Sequence, residues 1–144
     1  MKEETMDLFE RMERGETLAE IQGFPAEMGE ALAEMAEREM EAGRLESART
    51  ILEGLVVTNH RDAGAWALLS TAHRRLGQGL AARFCAEVAV HLAPRDPAAR
   101  LARAESLLVF PEDRDEARVA LVDLADAGEG VGDRARALAA ALGG

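Results

Sequence analysis

The side chains best suited to chemistry in this sequence are three histidines and one cysteine. His60, His73 and His91 are too far apart for a local metal-binding motif, and none of them stands at a ligand spacing from Cys85. There is no glycine-rich phosphate loop, no serine or cysteine with a plausible base, and no His-Glu-x-x-His sequence. We therefore predict that the chain is not an enzyme and needs no metal and no cofactor.

Charge and composition narrow the choice of partner and compartment. The net charge of -10 would repel a phosphate backbone, so we predict no nucleic-acid partner. No apolar run approaches the roughly 20 residues that span a bilayer, so we predict no stable membrane insertion. The acidic start of the chain is unlike a signal peptide, and Cys85 has no second cysteine to pair with. These features indicate a reducing, cytoplasmic compartment.

Several residues recur at a spacing of 34, which is the period of the tetratricopeptide repeat (TPR). The recurring pairs are Gly43 and Gly77, Ala48 and Ala82, Leu32 and Trp66, Met35 and Leu69, and His60 and Pro94. The period predicts three helix-turn-helix repeats, at 29–62, 63–96 and 97–127. The predicted fold is all-α, a TPR-like right-handed superhelix with an N-terminal helical extension and a C-terminal capping helix.

The second repeat carries the pattern most completely. Trp66 and Leu69 are expected to face the second helix of the repeat, where the small side chains of Ala82 and Ala89 allow a close approach. Gly77 permits the turn between the helices, and a proline stops the second helix. Three positions depart from the pattern, which has one glycine and two aromatic residues there: Ser70, His73 and Ala86.

Segments at both ends of the chain complete the predicted stack. Residues 1–28 form an N-terminal helical segment, in which Thr17 and Glu20 make a capping box and Gly23 with Pro25 ends the helix. Residues 128–144 form a linker and an alanine-rich capping helix, because terminal repeats of solenoids are usually covered. The third repeat needs an extra residue in FPEDRD before its second helix.

From residue 15 to about 121, the order of short phrases resembles the SycD/LcrH family, the class II chaperones of bacterial type III secretion. The phrases are GETLAEI (15–21), VVTNHRDAGAW (56–66), HRRLGQ (73–78), LAPRDP (92–97) and AESLL (104–108). The resemblance implies a cytoplasmic bacterial chaperone that holds hydrophobic translocator proteins before export. It also implies a concave groove for an extended partner segment, often of the form Pro-x-Leu-x-x-Pro.

We predict the groove residues from the helical periodicity of the first helix of each repeat. They are Glu30, Ala33, Glu37 and Met40 in the first repeat, Ala67, Thr71, Arg74 and Arg75 in the second, and Leu101, Glu105 and Leu108 in the third. The family commonly has Tyr and Phe where this chain has Ala33, Glu37 and Met40. Either the pockets are wider and the ligand residues bulkier, or the chain binds a different client.

The N-terminal segment contains an apolar stripe at helical spacing, formed by Met6, Leu8, Phe9 and Met12. The stripe could fold back onto the first repeat or bind a partner. Because the resemblance implies homodimers that form through the N-terminal region, we predict that the stripe makes a homodimer. Two alternative functions stay open: a general TPR scaffold or regulator, and a chaperone for the needle subunit.

Overall fold

The computed structural model describes residues 10–143, except for the side chain of Ile21. Residues 10–13 are helical, and no strand occurs within residues 10–143. The helices that follow are α1 (Leu18–Gln22), α2 (Ala26–Glu41), α3 (Leu45–Thr58), α4 (Ala63–Arg75), α5 (Gly79–Leu92), α6 (Pro97–Leu107), α7 (Arg114–Asp123) and α8 (Val131–Ala141). A 3₁₀ turn at Pro111–Asp113 precedes α7. None of the helices in this described part is long and apolar enough to cross a bilayer.

The chain divides into two compact units, residues 1–62 and residues 63–144. We call them unit 1 and unit 2. Unit 1 contains α1 to α3, and unit 2 contains α4 to α8. The all-α fold predicted from the sequence is confirmed.

Unit 1 begins with the predicted capping box. The Thr17 hydroxyl accepts a hydrogen bond from the Glu20 backbone N–H at 3.1 Å, and the Glu20 carboxylate accepts one from the Thr17 N–H at 3.2 Å. Helix α1 then ends at Gly23, whose φ of 75° is a left-handed conformation that glycine adopts without steric cost. The predicted short helix and both of its signals are therefore confirmed.

Helices α2 and α3 form the hairpin of unit 1. The buried face of α2 consists of Ala36 and Met40, one turn apart, and α3 contributes Ala48 and Leu52 to the same core. Met35, which corresponds to Leu69 at the spacing of 34, lies outside this core and is 44% exposed. Since α2 packs through Ala36 and Met40, Met35 falls on the rim of the helix.

In unit 2, α4 and α5 pack through small side chains as predicted. Ala82 and Ala89 are fully buried, so the helix backbones approach closely. Trp66 is partly buried and meets Phe84 edge to face, with ring centroids 6.1 Å apart. Cys85 is buried in α5.

The extra residue of the third repeat is accommodated by the 3₁₀ turn before α7. Arg83 of α5 makes two contacts with residues at this turn. Its guanidinium donates to the Asp113 carboxylate at 2.6 Å and lies 5.4 Å from the ring centroid of Phe110.

Helix α8 packs against α6 and α7 over a core cluster of Ala104, Leu121, Leu124 and Ala135.

Candidate peptide-binding surface

The four residues predicted to line the groove in unit 1 differ in how far they reach solvent. Glu30 and Glu37 are exposed and Ala33 is half-buried. Met40 is only 7% exposed, because it follows Ala36 by one turn on the face that packs into the core of unit 1. The accessible residues of this surface are therefore Glu30, Ala33 and Glu37. Met40 lies on the buried face of α2 and packs in the core.

In the second repeat, the polar residues of the predicted set are the accessible ones. Ala67 is buried in a cluster with Ala86, Ala89, Ala99 and Ala102. Thr71 is half-buried, and its hydroxyl donates to the Ala67 carbonyl of the same helix at 3.3 Å. Arg74 is half-buried and Arg75 is exposed. The accessible surface on α4 is thus mainly polar.

The predicted residues of the third repeat lie partly within the core of unit 2. Leu101 and Leu108 are half-buried and pack against the cluster of Ala104, Leu121, Leu124 and Ala135. Glu105 is buried, with 6% of the residue exposed. A partner on this face of α6 would meet the edges of two leucines rather than whole side chains.

Arg74 and Glu105, both predicted as groove residues, contact each other. Arg74 Nη2 lies 3.3 Å from Glu105 Oε2. A second guanidinium, that of Arg134 on α8, donates from Nε to the other oxygen of the Glu105 carboxylate. One buried carboxylate thereby joins α4, α6 and α8, with both of its oxygens hydrogen-bonded as a buried charge requires.

Arg134 is the member of this network that the sequence did not identify. It lies 29 residues after Glu105, on a helix predicted only as a cap. The 34-residue period carries no information on such a contact. An arginine in the C-terminal helix is also an ordinary surface residue by sequence, so no local signal marked it.

Helix α2 of unit 1 and helix α4 of unit 2 carry opposite charge. Helix α2 contains six glutamates and one arginine, in the sequence AEMGEALAEMAEREME. Helix α4 contains two arginines and no acidic residue, and its Arg74 and Arg75 lie in the last turn. On each helix taken by itself, the charge favours groups of opposite sign on a partner, because charged groups steer and orient a partner.

Solved structures similar to this chain include proteins of type III secretion. A type III secretion complex from Aeromonas hydrophila aligns with 94% of this chain and 94% of its own, at 21% identity and a TM-score of 0.80. The translocator chaperone SycD of Yersinia enterocolitica aligns with 88% of this chain and 98% of its own, at 20% identity and a TM-score of 0.75. SycD has also been solved as an alternative dimer.

PcrH of Pseudomonas aeruginosa, solved with the chaperone-binding region of PopD, is similar as well. It aligns with 83% of this chain and 94% of its own, at 24% identity and a TM-score of 0.69. At these identities the likeness establishes the fold, which is the fold that the resemblance implied. No protein-family model matches the chain, and no curated protein matches it.

Proposed function

We propose that this chain is a cytoplasmic chaperone of a bacterial type III secretion system, which binds hydrophobic translocator proteins before export. It acts by binding and carries out no catalytic step. The single observation that supports this most is the alignment with nearly the full length of SycD, a translocator chaperone. The likeness to PcrH bound to the chaperone-binding region of PopD supports the same conclusion.

The residues proposed to contact the client lie on α2 in unit 1, and on α4 and along α6 in unit 2. In unit 1 they are Glu30, Ala33 and Glu37, and in unit 2 they are Thr71, Arg74 and Arg75, with the edges of Leu101 and Leu108. Burial of a few hundred Å² of apolar client surface, at about 25 cal/mol per Å², gives several kcal/mol. Because ordering of the client opposes this gain, the net affinity allows release at export.

The proposal is tested by co-expression of the chain with candidate hydrophobic translocator proteins of a bacterial type III secretion system. We expect a complex that stays intact through affinity purification and size exclusion. Glu37→Arg in unit 1 and Arg75→Glu in unit 2 each reverse an exposed charge of the proposed surface. Each variant should reduce the translocator recovered per chaperone while leaving the circular dichroism spectrum unchanged.

Matched controls reverse exposed charges elsewhere in the same unit. Glu46→Arg on α3 and Arg95→Glu before α6 should retain full capture. Equal loss in test and control variants would show that net charge, rather than the surface, governs binding. Capture of the needle subunit instead of the translocator would replace this proposal with the needle-subunit alternative. Binding to neither would favour a general TPR scaffold.

We also propose that the chaperone is a homodimer formed through Met6, Leu8, Phe9 and Met12. The first three of these residues lie outside the described part of the chain, and Met12 is 41% exposed. An exposed methionine in a helical turn can be covered by a second copy at little cost. Light scattering should give a dimer mass for the natural chain and a monomer mass for Met12→Glu. A dimer mass for Met12→Glu would contradict this assignment.

A further inference from the structure

A second groove lies in unit 2, on a different side of α6 from Glu105. Arg103, which lines it, precedes Glu105 by two positions and therefore points roughly 200° away around the helix. The groove encloses about 450 Å³ between α5, α6 and α7. Its lining residues are Val90, Pro94, Arg100, Arg103, Glu116, Val119, Ala120, Asp123 and Leu124.

One wall of this groove is fixed by ion pairs. Arg103 donates to the Glu87 carboxylate on α5 and to the Glu116 carboxylate on α7, each at 2.9 Å. The hydrogen bond with Glu116, together with attraction to Glu87, holds the pKa of Arg103 above its usual value. The Arg103 guanidinium is therefore already paired with two carboxylates, and it links α6 to α5 and α7 rather than binding a ligand.

Two other charges in the groove are not used by the fold. Arg100 is half-buried and Asp123 is exposed, and neither forms an ion pair with any residue in 10–143. The other lining residues, apart from Arg103 and Glu116, are apolar, and among them Val119 is 62% exposed. A bound carboxylate or carbonyl oxygen would give the Arg100 guanidinium a charge-assisted hydrogen bond.

From these observations we infer that the groove is a second binding site, for an extended segment of a protein partner that carries apolar side chains and a carboxylate. The carboxylate pairs with Arg100, apolar side chains cover Val119 and Leu124, and Asp123 accepts backbone N–H groups. A polypeptide supplies donors, acceptors and apolar groups in one chain. A polyanion does not fit, because Asp123 and Glu116 would repel it.

The test uses a library of short random peptides displayed on phage and selected on the full-length chain. We expect the selected peptides to share apolar residues next to Asp or Glu. Binding of a selected peptide, measured by fluorescence anisotropy, should weaken about tenfold or more in Val119→Asp and in Arg100→Glu, since tenfold corresponds to about 1.4 kcal/mol. A peptide with Lys in place of its acidic residue should lose affinity for the natural chain and regain it for Arg100→Glu.

Matched variants separate the groove from general surface effects. Val122→Asp changes a valine on α7 that is 59% exposed and does not line the groove, and Arg95→Glu reverses a charge just before α6. Both should bind the peptide as the natural chain does. Undiminished binding in Val119→Asp, or selected peptides without acidic residues, would overturn the proposal.

Two further outcomes would also contradict the proposed peptide site. If no peptide is enriched, the groove binds no segment of this kind. If Val119→Asp converts a dimer into a monomer in light scattering while Val122→Asp does not, a second copy of the chain is the occupant. None of these measurements uses a translocator, so their failure is distinct from failure of the proposed chaperone function.

Discussion

Arg74 of α4 and Glu105 of α6 lie 3.3 Å apart, guanidinium nitrogen to carboxylate oxygen, and Arg134 of α8 occupies the other oxygen of the same carboxylate. The three residues come from three helices of unit 2, and the carboxylate is the buried member. Because two cations share one anion, either arginine alone can still neutralise Glu105. This sharing has a measurable consequence for stability.

We predict that loss of both arginines costs more than the sum of the single losses. Arg74→Ala and Arg134→Ala should each lower the free energy of unfolding by about 1.5 kcal/mol, the contribution of a hydrogen bond to a charged group. The double variant leaves a buried carboxylate unpaired and should lose about 4 kcal/mol. Urea unfolding followed by the fluorescence of Trp66, the only tryptophan, reports on unit 2.

Removal of the carboxylate provides the control for this prediction. Glu105→Met in the double-variant background eliminates the unpaired charge and should recover much of the lost stability. Strict additivity of the two arginine substitutions would show that Glu105 is solvated rather than paired. Failure of Glu105→Met to recover stability would show that packing by the arginine side chains, not charge, holds the three helices.

Ser70 explains one departure of the second repeat from the TPR pattern, and it yields a second prediction. Its hydroxyl donates to the Ala82 carbonyl of α5 at 2.7 Å, in a buried setting. Ser70→Ala should lower the free energy of unfolding by about 1 kcal/mol through loss of this hydrogen bond. Ser70→Gly should lose about 1 kcal/mol more, because glycine disfavours the interior of a helix.

Thr71 supplies the matched control, since its hydroxyl donates only within its own helix, to Ala67 at 3.3 Å. Thr71→Val keeps the side-chain shape and should change the free energy of unfolding by less than about 0.5 kcal/mol. The same urea titrations measure both positions. Equal losses at Ser70 and Thr71 would mean that the hydrogen bond between α4 and α5 contributes nothing of its own.

The sequence predicted those features of the fold that depend on local chemistry or on the repeat period. Gly77 lies in the turn between α4 and α5 with a φ of 79°, and Ala82 and Ala89 are fully buried, because turn geometry and helix contact require these residue types. The period was less reliable in unit 1. Met35 and Leu69 are one period apart, yet Met35 is 44% exposed and Leu69 only 2%.

The candidate site was less predictable than the fold, for a physical reason. Whether a residue on a repeat face is reachable depends on how far neighbouring helices cover it, and periodicity gives direction but not coverage. Ala67 points towards the predicted face but is buried among other alanines. Contacts such as that between Glu105 and Arg134 join distant parts of the chain, and nothing in either local sequence specifies them.

A third prediction concerns pH and unit 1. The hydrogen bond from Arg11 to Glu16, at 3.0 Å, is the main reason that the pKa of Glu16 lies below the usual value of a glutamate, and attraction to Arg11 and Arg14 adds to it. Because the folded-state pKa is lowered, the stabilisation is fully present above the unfolded-state value. It is lost as the pH falls through the folded-state pKa.

NMR titration of the Glu16 side-chain carboxyl measures this shift directly. Arg11→Gln should raise the pKa of Glu16 towards 4.5. Arg14→Gln is the control and should have a smaller effect, because Arg14 contributes only charge attraction. An unchanged pKa in Arg11→Gln would show that the ion pair seen in the structure is not populated in solution.

The start of α8 provides a fourth prediction, because at Gly132 there is no room for a larger side chain. A Cβ at Gly132 would lie 2.8 Å from the Ala125 carbonyl oxygen, and backbone cannot rotate away. Gly132→Ala should therefore lower the free energy of unfolding by about 2 kcal/mol, as overpacking of a filled core does.

Gly79→Ala is the matched control. A Cβ at Gly79 would also lie 2.8 Å from another atom, but that atom is a side-chain methyl carbon of Val109. Val109 is 44% exposed, so its side chain is free to turn away. In urea unfolding, the free energy of unfolding of Gly79→Ala should be within about 0.5 kcal/mol of that of the natural chain. Similar losses in both variants would mean that α8 shifts to make room for the Cβ at position 132.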